Sequence, residues 1–293
     1  MSNVIAVPHR VVRTRRLELD YGTADHFPRH YVQGDPGMSH VVSMLSSVFP
    51  EGEDFFVRTV RNYRSDIVDP ELKSQVAGFI GQEAMHGREH RNFNDRLASL
   101  GYPTRLMDRI TKYGLGVGEK VLPKSVQLAI TAALEHYTAT LAETLLTDDS
   151  ARELLDVDEV RSLFLWHALE ESEHKSVAFD VYQTVSGNHW IRVGVMNATT
   201  LGFLGGILLA VGVSMLCDAS TYRHPIRALR SVYDLRRSPW LAAEVRHRIR
   251  DYNRRDFHPD DHDNAELTAR WRDQLFGATG MLTDRVKPAG ARA

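Results

Sequence analysis

The segments Glu83-Ala84-Met85-His86 and Glu171-Ser172-Glu173-His174 carry the same Glu-x-x-His pattern 88 positions apart. A glutamate and a histidine three residues apart on an α-helix project from one face, so each pair can bind one metal ion. A single glutamate precedes each segment by about thirty residues, Glu53 before the first and Glu135 before the second. Two such pairs with two single carboxylates are the ligand set of a dinuclear metal centre in a four-helix bundle.

A helical period in the apolar residues dominates from about residue 41 to 187, and it predicts four helices. Each predicted helix has an apolar seam that a carboxylate or an imidazole interrupts at mid-length. The first helix is expected to begin near Pro50 with Ser47 as its cap. The other three are expected at about Pro70–Leu100, Pro123–Thr147 and Val157–Val185.

The interrupted seams create an energetic conflict that a metal pair resolves. Burying one unpaired carboxylate costs several kcal/mol, whereas the net stability of a domain is only about 5–15 kcal/mol. Six or seven ionisable groups in one core would therefore unfold the bundle. Divalent cations neutralise the carboxylates and take the imidazole lone pairs, so the pattern indicates an all-α bundle built around two metal ions.

The expected roles repeat in the two halves of the site. Glu53 is a terminal ligand, Glu83 a bridge and His86 an imidazole ligand, and Glu135, Glu171 and His174 have the same roles in that order. Glu51 competes with Glu53, but a position in the first helical turn would let Glu51 serve the helix dipole. On the last helix we expect Glu170 and Glu173 toward the flanks, as surface charges.

Three further residues have alternative interpretations. His167 lies four residues before Glu171 on the same seam, and it is either a third imidazole ligand or a core histidine outside the ligand set. His90 is expected to orient a ligand from behind. Thr138 could hydrogen-bond a metal-bound water, although a threonine that packs between helices is the more common case.

We expect one domain over residues 1–293, with a metal-binding core at 41–187. Residues 1–40 are interpreted as an irregular arm with a short strand at Val4–Val7 or Val11–Leu19. Residues 188–293 combine an apolar segment with helices near Leu241–Tyr252 and Asn264–Leu275. The glycine-rich stretch Gly114–Lys120 lacks the spacing of a phosphate loop and is expected to connect the second and third helices.

The region 193–217 contains 25 consecutive uncharged residues, long enough to span a bilayer. Its glycines, Asn197 and two threonines weaken it as a membrane-spanning segment. A buried hairpin, a helix that forms a homodimer and a peripheral membrane contact are the alternatives that remain open.

Composition excludes several classes of protein. A net charge of -2 gives no broad basic surface for nucleic acid. The one cysteine, Cys217, excludes an internal disulfide framework and Cys-ligated zinc or iron–sulfur sites. The arginines near the N-terminus have no apolar run behind them, so no secretory signal is predicted and a cytoplasmic location is expected.

Several stretches resemble the bacterial family of predicted metal-dependent hydrolases, a ferritin-like group, over about residues 40–275. They are Phe49–Phe56, Gln82–His90, Ala133–Ala139, His167–His174 and Phe257-His258-Pro259. The resemblance implies a ferritin-like four-helix bundle with extra C-terminal helices. The metal-site pattern alone is similar to that of the p-aminobenzoate N-oxygenase type of di-iron enzymes, which implies that His167 is a seventh ligand.

These observations lead to three hypotheses for function. The first is a non-haem di-iron oxygenase or oxidase that activates dioxygen to oxidise an apolar or amine-bearing small molecule, with an external electron donor. The second is a dinuclear hydrolase that uses a metal-bound hydroxide. The third is a non-catalytic protein that handles iron or another metal. Oxygen and nitrogen ligands without sulfur suit two Fe ions, and Mn or Zn as alternatives.

Overall fold

The structure, a computed structural model, describes residues 11–22 and 27–287, and within these residues the chain is all-helical. Twelve α-helices account for the fold. Their bounds are α1 Pro36–Arg61, α2 Pro70–Ser99, α3 Thr104–Val121, α4 Lys124–Thr147, α5 Asp149–Glu153, α6 Asp158–His174, α7 Val177–Val185, α8 His189–Leu216, α9 Ala219–Arg223, α10 Pro225–Asp234, α11 Ala243–Asp251 and α12 Ala265–Phe276.

Helices α1, α2, α4 and the pair α6–α7 pack together and form the centre of the protein. The two larger apolar clusters of the described residues lie along this helical core. One contains Phe55, Phe79 and Leu128. The other contains Trp166 and many aliphatic residues, including Leu97. The predicted all-α class is confirmed. Burial of the two apolar clusters stabilises the packing of the central helices around the polar residues of the core.

Helix α1 begins at Pro36, so the prediction that it begins near Pro50 is wrong. The Asp35 side chain accepts a hydrogen bond from the backbone N–H of Met38, which makes Asp35 the N-cap. Pro50 lies inside the helix, where a proline leaves the carbonyl four residues earlier without its usual donor. Asn94 Nδ2 donates to that carbonyl, the oxygen of Ser46, at 2.9 Å. This side-chain hydrogen bond from α2 lets α1 continue through its proline.

The described N-terminal segment, residues 11–22, crosses α2 where that helix has two glycines. A Cβ atom on Gly78 would collide with the backbone of Val12, and one on Gly81 would collide with the side chain of Thr14. The expected strand Val11–Leu19 is reduced to one isolated antiparallel bridge between Leu17 and Val286. The alternative strand at Val4–Val7 lies outside the described residues.

In the middle of the chain, the structure differs from two predicted element boundaries. Residues 114–120 lie inside α3, so they are helical and do not form the expected connecting loop. The predicted last helix of the core is divided, because α6 ends at His174 and α7 begins at Val177. Neither a proline nor a glycine marks that break in the sequence. Helices α11 and α12 match the two C-terminal helices that were predicted.

The apolar region forms the single helix α8, which excludes a hairpin. Among the described residues, α8 is the helix whose length and composition would allow it to cross a membrane. It lies against α1 and α4. Its first part is fixed by Arg192, which donates to the carbonyls of Tyr252 and Arg254, and its last part by the hydrogen bond between Ser214 Oγ and His40 Nδ1.

We predict that His136 makes the protein sensitive to acid. Burial lowers the pKa of this histidine to about 4, and its Nε2 donates to the carbonyl of Arg248. Because the pKa of His136 is lower in the folded than in the unfolded protein, the neutral ring contributes to stability above about pH 6.5. This contribution is lost as the pH falls toward 4. Between pH 7 and pH 5 the wild type should lose about 2 kcal/mol more unfolding free energy than His136→Gln, measured by urea denaturation. Equal losses in both proteins would contradict this prediction.

Candidate metal centre

Seven ionisable side chains predicted from the sequence converge between the central helices. Helix α1 contributes Glu53, and α4 contributes Glu135. Helices α2 and α6 contribute the two Glu-x-x-His pairs, and α6 also contributes His167. None of the seven is more than 5 % exposed, so the cluster lies in the core and not on a solvated helix face. They are Glu53, Glu83, His86, Glu135, His167, Glu171 and His174.

The donor atoms separate into two groups, each compact enough to surround one ion. Glu53, His86 and His167 form one group, and Glu83, Glu171 and His174 form the other, with the donor atoms of each group within 4.8 Å of one another. Glu135 Oε2 lies 3.3 Å from His174 Nε2 and so adds a carboxylate to the second group. This division differs from the two halves expected from the sequence in one residue, because Glu83 groups with Glu171 and His174 and not with Glu53 and His86, and His167 joins the group of Glu53.

Two carboxylates lie between the two groups. Glu171 Oε1 is 2.9 Å from His167 Nε2, while its Oε2 is 3.6 Å from His174 Nε2. Glu83 Oε1 is 3.6 Å from His86 Nδ1 and 3.2 Å from His174 Nε2. Each therefore faces an imidazole of both groups, which is the position that a bridging ligand needs.

Most inward-facing donor atoms of the cluster have no hydrogen-bond partner. Both carboxylate oxygens of Glu53, Glu83 and Glu135 are buried without one, as is Glu171 Oε2. His86 Nδ1 and His174 Nε2 are also buried without a hydrogen-bond partner. A buried polar atom without a partner costs about 1–3 kcal/mol, and more when it is charged. So many orphaned donors in one place fit a site for cations, and oxygen and nitrogen donors without sulfur fit Fe, Mn or Zn.

A chain of hydrogen bonds fixes the orientation of His167. The Asn94 amide donates to the carbonyl of Ser46, which leaves its oxygen to accept from Ser46 Oγ at 2.7 Å. Ser46 Oγ in turn accepts from His90 Nδ1 at 2.9 Å, so His90 Nε2 carries a lone pair. That lone pair accepts from His167 Nδ1 at 2.7 Å. By this network His167 directs the lone pair of Nε2 toward Glu53 and Glu171, as a metal ligand would.

The other two imidazoles are held in the same way. His86 donates from Nε2 to Glu170 Oε2 at 3.1 Å, and this leaves its Nδ1 lone pair facing Glu83 and Glu171. His174 donates from Nδ1 to the Gln82 side-chain oxygen at 2.8 Å, and this leaves its Nε2 lone pair facing inward. All three imidazoles therefore have an outer N–H fixed by an acceptor and an inner lone pair, the arrangement that metal-binding histidines require.

Glu170 and Glu173 are buried, so the prediction that they are surface charges is wrong. Arg15 from the N-terminal segment donates to Glu170 Oε1 at 2.9 Å and to both oxygens of Glu173 at 2.7 and 2.8 Å. Gln82 Nε2 donates to Glu173 as well, at 2.9 Å. One buried guanidinium therefore supports the outer acceptors of both His86 and His174.

The structure also shows what the side chains of Glu51 and Thr138 contact. Glu51 lies in the middle of α1 and not in its first turn, and it faces Lys112 on α3 at 3.3 Å. The Thr138 hydroxyl donates to the backbone carbonyl of Glu135 at 3.1 Å, which is the behaviour of a threonine inside a helix.

The pKa values of the clustered side chains are shifted because many ionisable groups are buried close together. Burial, opposed by His174 and aided by Glu171, raises the pKa of Glu83 to about 8. Burial and the neighbouring Glu171 raise the pKa of Glu135 to about 8 in the same way. Burial alone would lower the pKa of His174, but Glu171 and Glu135 raise it well above its usual range. Without a cation, protons therefore neutralise part of the site.

Aromatic rings enclose the cluster. Phe79 packs edge-on against His174, and Trp166 packs edge-on against His86. Phe49 contacts the rings of both His90 and His167 and is only partly buried. His167, whose ring Phe49 contacts, is 5 % exposed, the largest exposed fraction among the seven residues.

A second cluster, His30, His40 and Asp218, also brings donor atoms together but differs in its chemistry. Asp218 already accepts from Arg29, with both carboxylate oxygens within 3.2 Å of the guanidinium. His40 has a partner at each ring nitrogen, Ser214 at 2.7 Å and Asp218 at 3.2 Å. A satisfied network of this kind does not need an ion.

Fold and site together define a protein that is all-helical over its described residues, with a buried cluster of side chains that could hold metal ions. A family model described as "Predicted metal-dependent hydrolase" matches residues 13–263. Since the match covers most of the sequence, the chain belongs to that family, as the resemblance indicated. No curated protein and no solved structure matches the chain significantly. The ferritin-like relationship and the likeness to N-oxygenases stay predictions.

We predict that Glu135→Gln has opposite effects on the metal-free and the metal-loaded protein. Without metal, the substitution removes a buried acid whose burial is unfavourable, so the melting temperature should rise by several degrees, at about 2–4 °C per kcal/mol. With metal, the variant lacks one ligand, so its melting temperature should be lower than that of the wild type. Calorimetry with chelator and with added Fe(II), Mn(II) or Zn(II) measures both. A variant less stable under both conditions would show a purely structural role.

We predict that Arg15→Gln weakens metal binding about 10- to 100-fold, since partners behind metal ligands typically have effects of this size. The matched control is Arg13→Gln, two residues earlier, whose side chain is exposed. Competition with a chromophoric chelator measures the affinity. Equal affinities in the two variants would mean that Arg15 does not hold His86 and His174 for the metal.

Proposed function

We propose that this protein is an enzyme with two divalent metal ions at its centre and that it is a metal-dependent hydrolase. The observation that carries the proposal is the set of orphaned donor atoms, which belong to residues from four separate helices and point at one another. The family to which the chain belongs is described as hydrolytic. The substrate would be a small molecule with an ester, amide or phosphate bond.

In this proposal Glu53 and Glu135 are terminal ligands, and Glu83 and Glu171 are the bridges. His86 and His167 serve the first ion, and His174 serves the second. A bound metal pair would supply Lewis-acid polarisation of the substrate and a water that ionises near neutral pH. Such a centre is consistent with a ferritin-like arrangement of α1, α2, α4 and α6–α7.

The protein's own part in the reaction is to orient the imidazole ligands and to exclude water from the site. Glu170, Gln82 and His90 hold the three imidazoles so that their lone pairs face inward. Phe79 and Trp166 close two sides of the cluster with apolar rings. A low local dielectric would strengthen the attraction between these ligands and bound cations.

Oxidation of an organic substrate with dioxygen is a second candidate, and burial of the site favours it. All seven donors are almost inaccessible to solvent, and a site of this kind admits a small gas more readily than an ester. Fe would be the metal, and electrons would come from an external donor.

One experiment distinguishes these candidates. The full chain, loaded separately with Zn(II), Mn(II) and Fe(II), is tested on nitrophenyl esters and phosphates. The Fe(II) form is also mixed with dioxygen while oxygen uptake and the visible spectrum are recorded. Hydrolysis that disappears with a chelator and in Glu83→Ala, but persists in the control Thr138→Ala, supports the proposal. Oxygen uptake without hydrolysis favours the second candidate, and metal binding with neither reaction favours metal handling.

A further inference from the structure

Helix α8 presents an apolar face to solvent over its middle turns. Leu201, Leu208 and Leu209 are each at least 70 % exposed. The face that packs on the core is narrow there and consists of Phe203, which contacts the ring of Tyr137, and of Ile207. An exposed apolar stretch of this length is unusual for a protein that contacts only water.

Helix α10, which follows α8 and α9 in the chain, also has exposed apolar residues. Its inner side is fixed by Ser231, which accepts from the backbone N–H of Gly37 at 2.7 Å. Its outer side carries Ile226, Leu229 and Tyr233, a stripe at helical spacing that is at least 60 % exposed. The hydrophobic side of this amphipathic helix therefore faces away from the protein.

Positive charge surrounds this apolar stripe. The segment 219–237 contains five arginines and one acidic residue, Asp234, in a chain whose net charge is -2. All five arginines are exposed: Arg223, Arg227, Arg230, Arg236 and Arg237. Apolar and aromatic residues combined with arginine are the composition of helices that lie in the interface of an anionic membrane.

We propose that α8 and α10 dock this protein onto the surface of an anionic lipid bilayer as a peripheral contact. The leucines of α8 and the stripe of α10 would enter the headgroup region, and the arginines would face the lipid phosphates. Charge complementarity selects this occupant over a second copy of the chain, because a symmetric dimer would bring two arginine-rich segments together.

The contacts of α8 exclude a spanning role. Arg192 at its start and Ser214 near its end both bond to other parts of the core, so the helix lies along the protein at both ends. Helices α11 and α12, which follow it, pack on α4 and α6. The chain before α8 and the chain after it therefore belong to one packed body on one side of the membrane.

The test is flotation of the full chain with vesicles of phosphatidylcholine, with and without phosphatidylglycerol. Binding should require the anionic lipid and weaken at high salt. Arg223→Gln/Arg230→Gln should reduce partitioning about 30-fold, since one arginine near an anionic surface contributes roughly a fivefold factor. The charge-matched control, Arg61→Gln/Arg64→Gln at the opposite end of α1, should bind like the wild type.

A second pair of variants tests the apolar part. Leu201→Ser/Leu208→Ser on α8 should abolish binding, whereas Ile110→Ser/Val121→Ser, which changes exposed residues of α3, should not. Metal content and melting temperature, measured on every variant, identify any that misfold. Equal binding to both kinds of vesicle, unchanged binding in the α8 and α10 variants, resistance to carbonate extraction, or a dimer that dissociates on substitution in α8 would each overturn the proposal.

Discussion

Burial of negative charge is the constraint on which this structure depends. Glu53, Glu83, Glu135 and Glu171 meet where water is excluded, and most of their oxygens find no donor. Burial raises the pKa values of two of them, Glu83 and Glu135, to about 8. The surrounding helices hold these groups in place with apolar packing, and the imidazoles complete two compact sets of donors. Cations are the ligands that this chemistry fits best.

Hydrogen bonds on the outer side of the cluster determine which ring nitrogen of each histidine faces inward. A histidine can present either ring nitrogen, and the partner of the other nitrogen determines which one faces the site. Here the partners are Glu170, Gln82 and His90, and each leaves an inward lone pair. The same helix α6 carries ligands on one side and Glu170 and Glu173 on the other. Helix α6 is thus buried on both sides, because the N-terminal segment and α12 cover its outer face.

The sequence predicted the inner cluster well because helical spacing is a local property. Seam positions three and four residues apart identified six of the residues and left His167 as an alternative, and tertiary packing brings all seven together. The outer layer was missed, since Arg15 approaches Glu170 from 155 residues away and no local pattern records that contact. One signal was available: Leu163, Leu165, Trp166 and Leu169 surround α6 with apolar side chains, which is typical of a fully buried helix. The start of α1 was missed because the donor that compensates Pro50 comes from α2.

The pairing of Leu17 with Val286 joins the two ends of the described chain. Arg15 lies two residues before Leu17, and Arg272 of α12 donates to Glu173 at 2.9 Å. The support behind His86 and His174 therefore depends both on the N-terminal segment and on α12. During synthesis, a chain in which α12 has not yet packed would already contain the inner carboxylates while lacking the Arg272 contact behind Glu173.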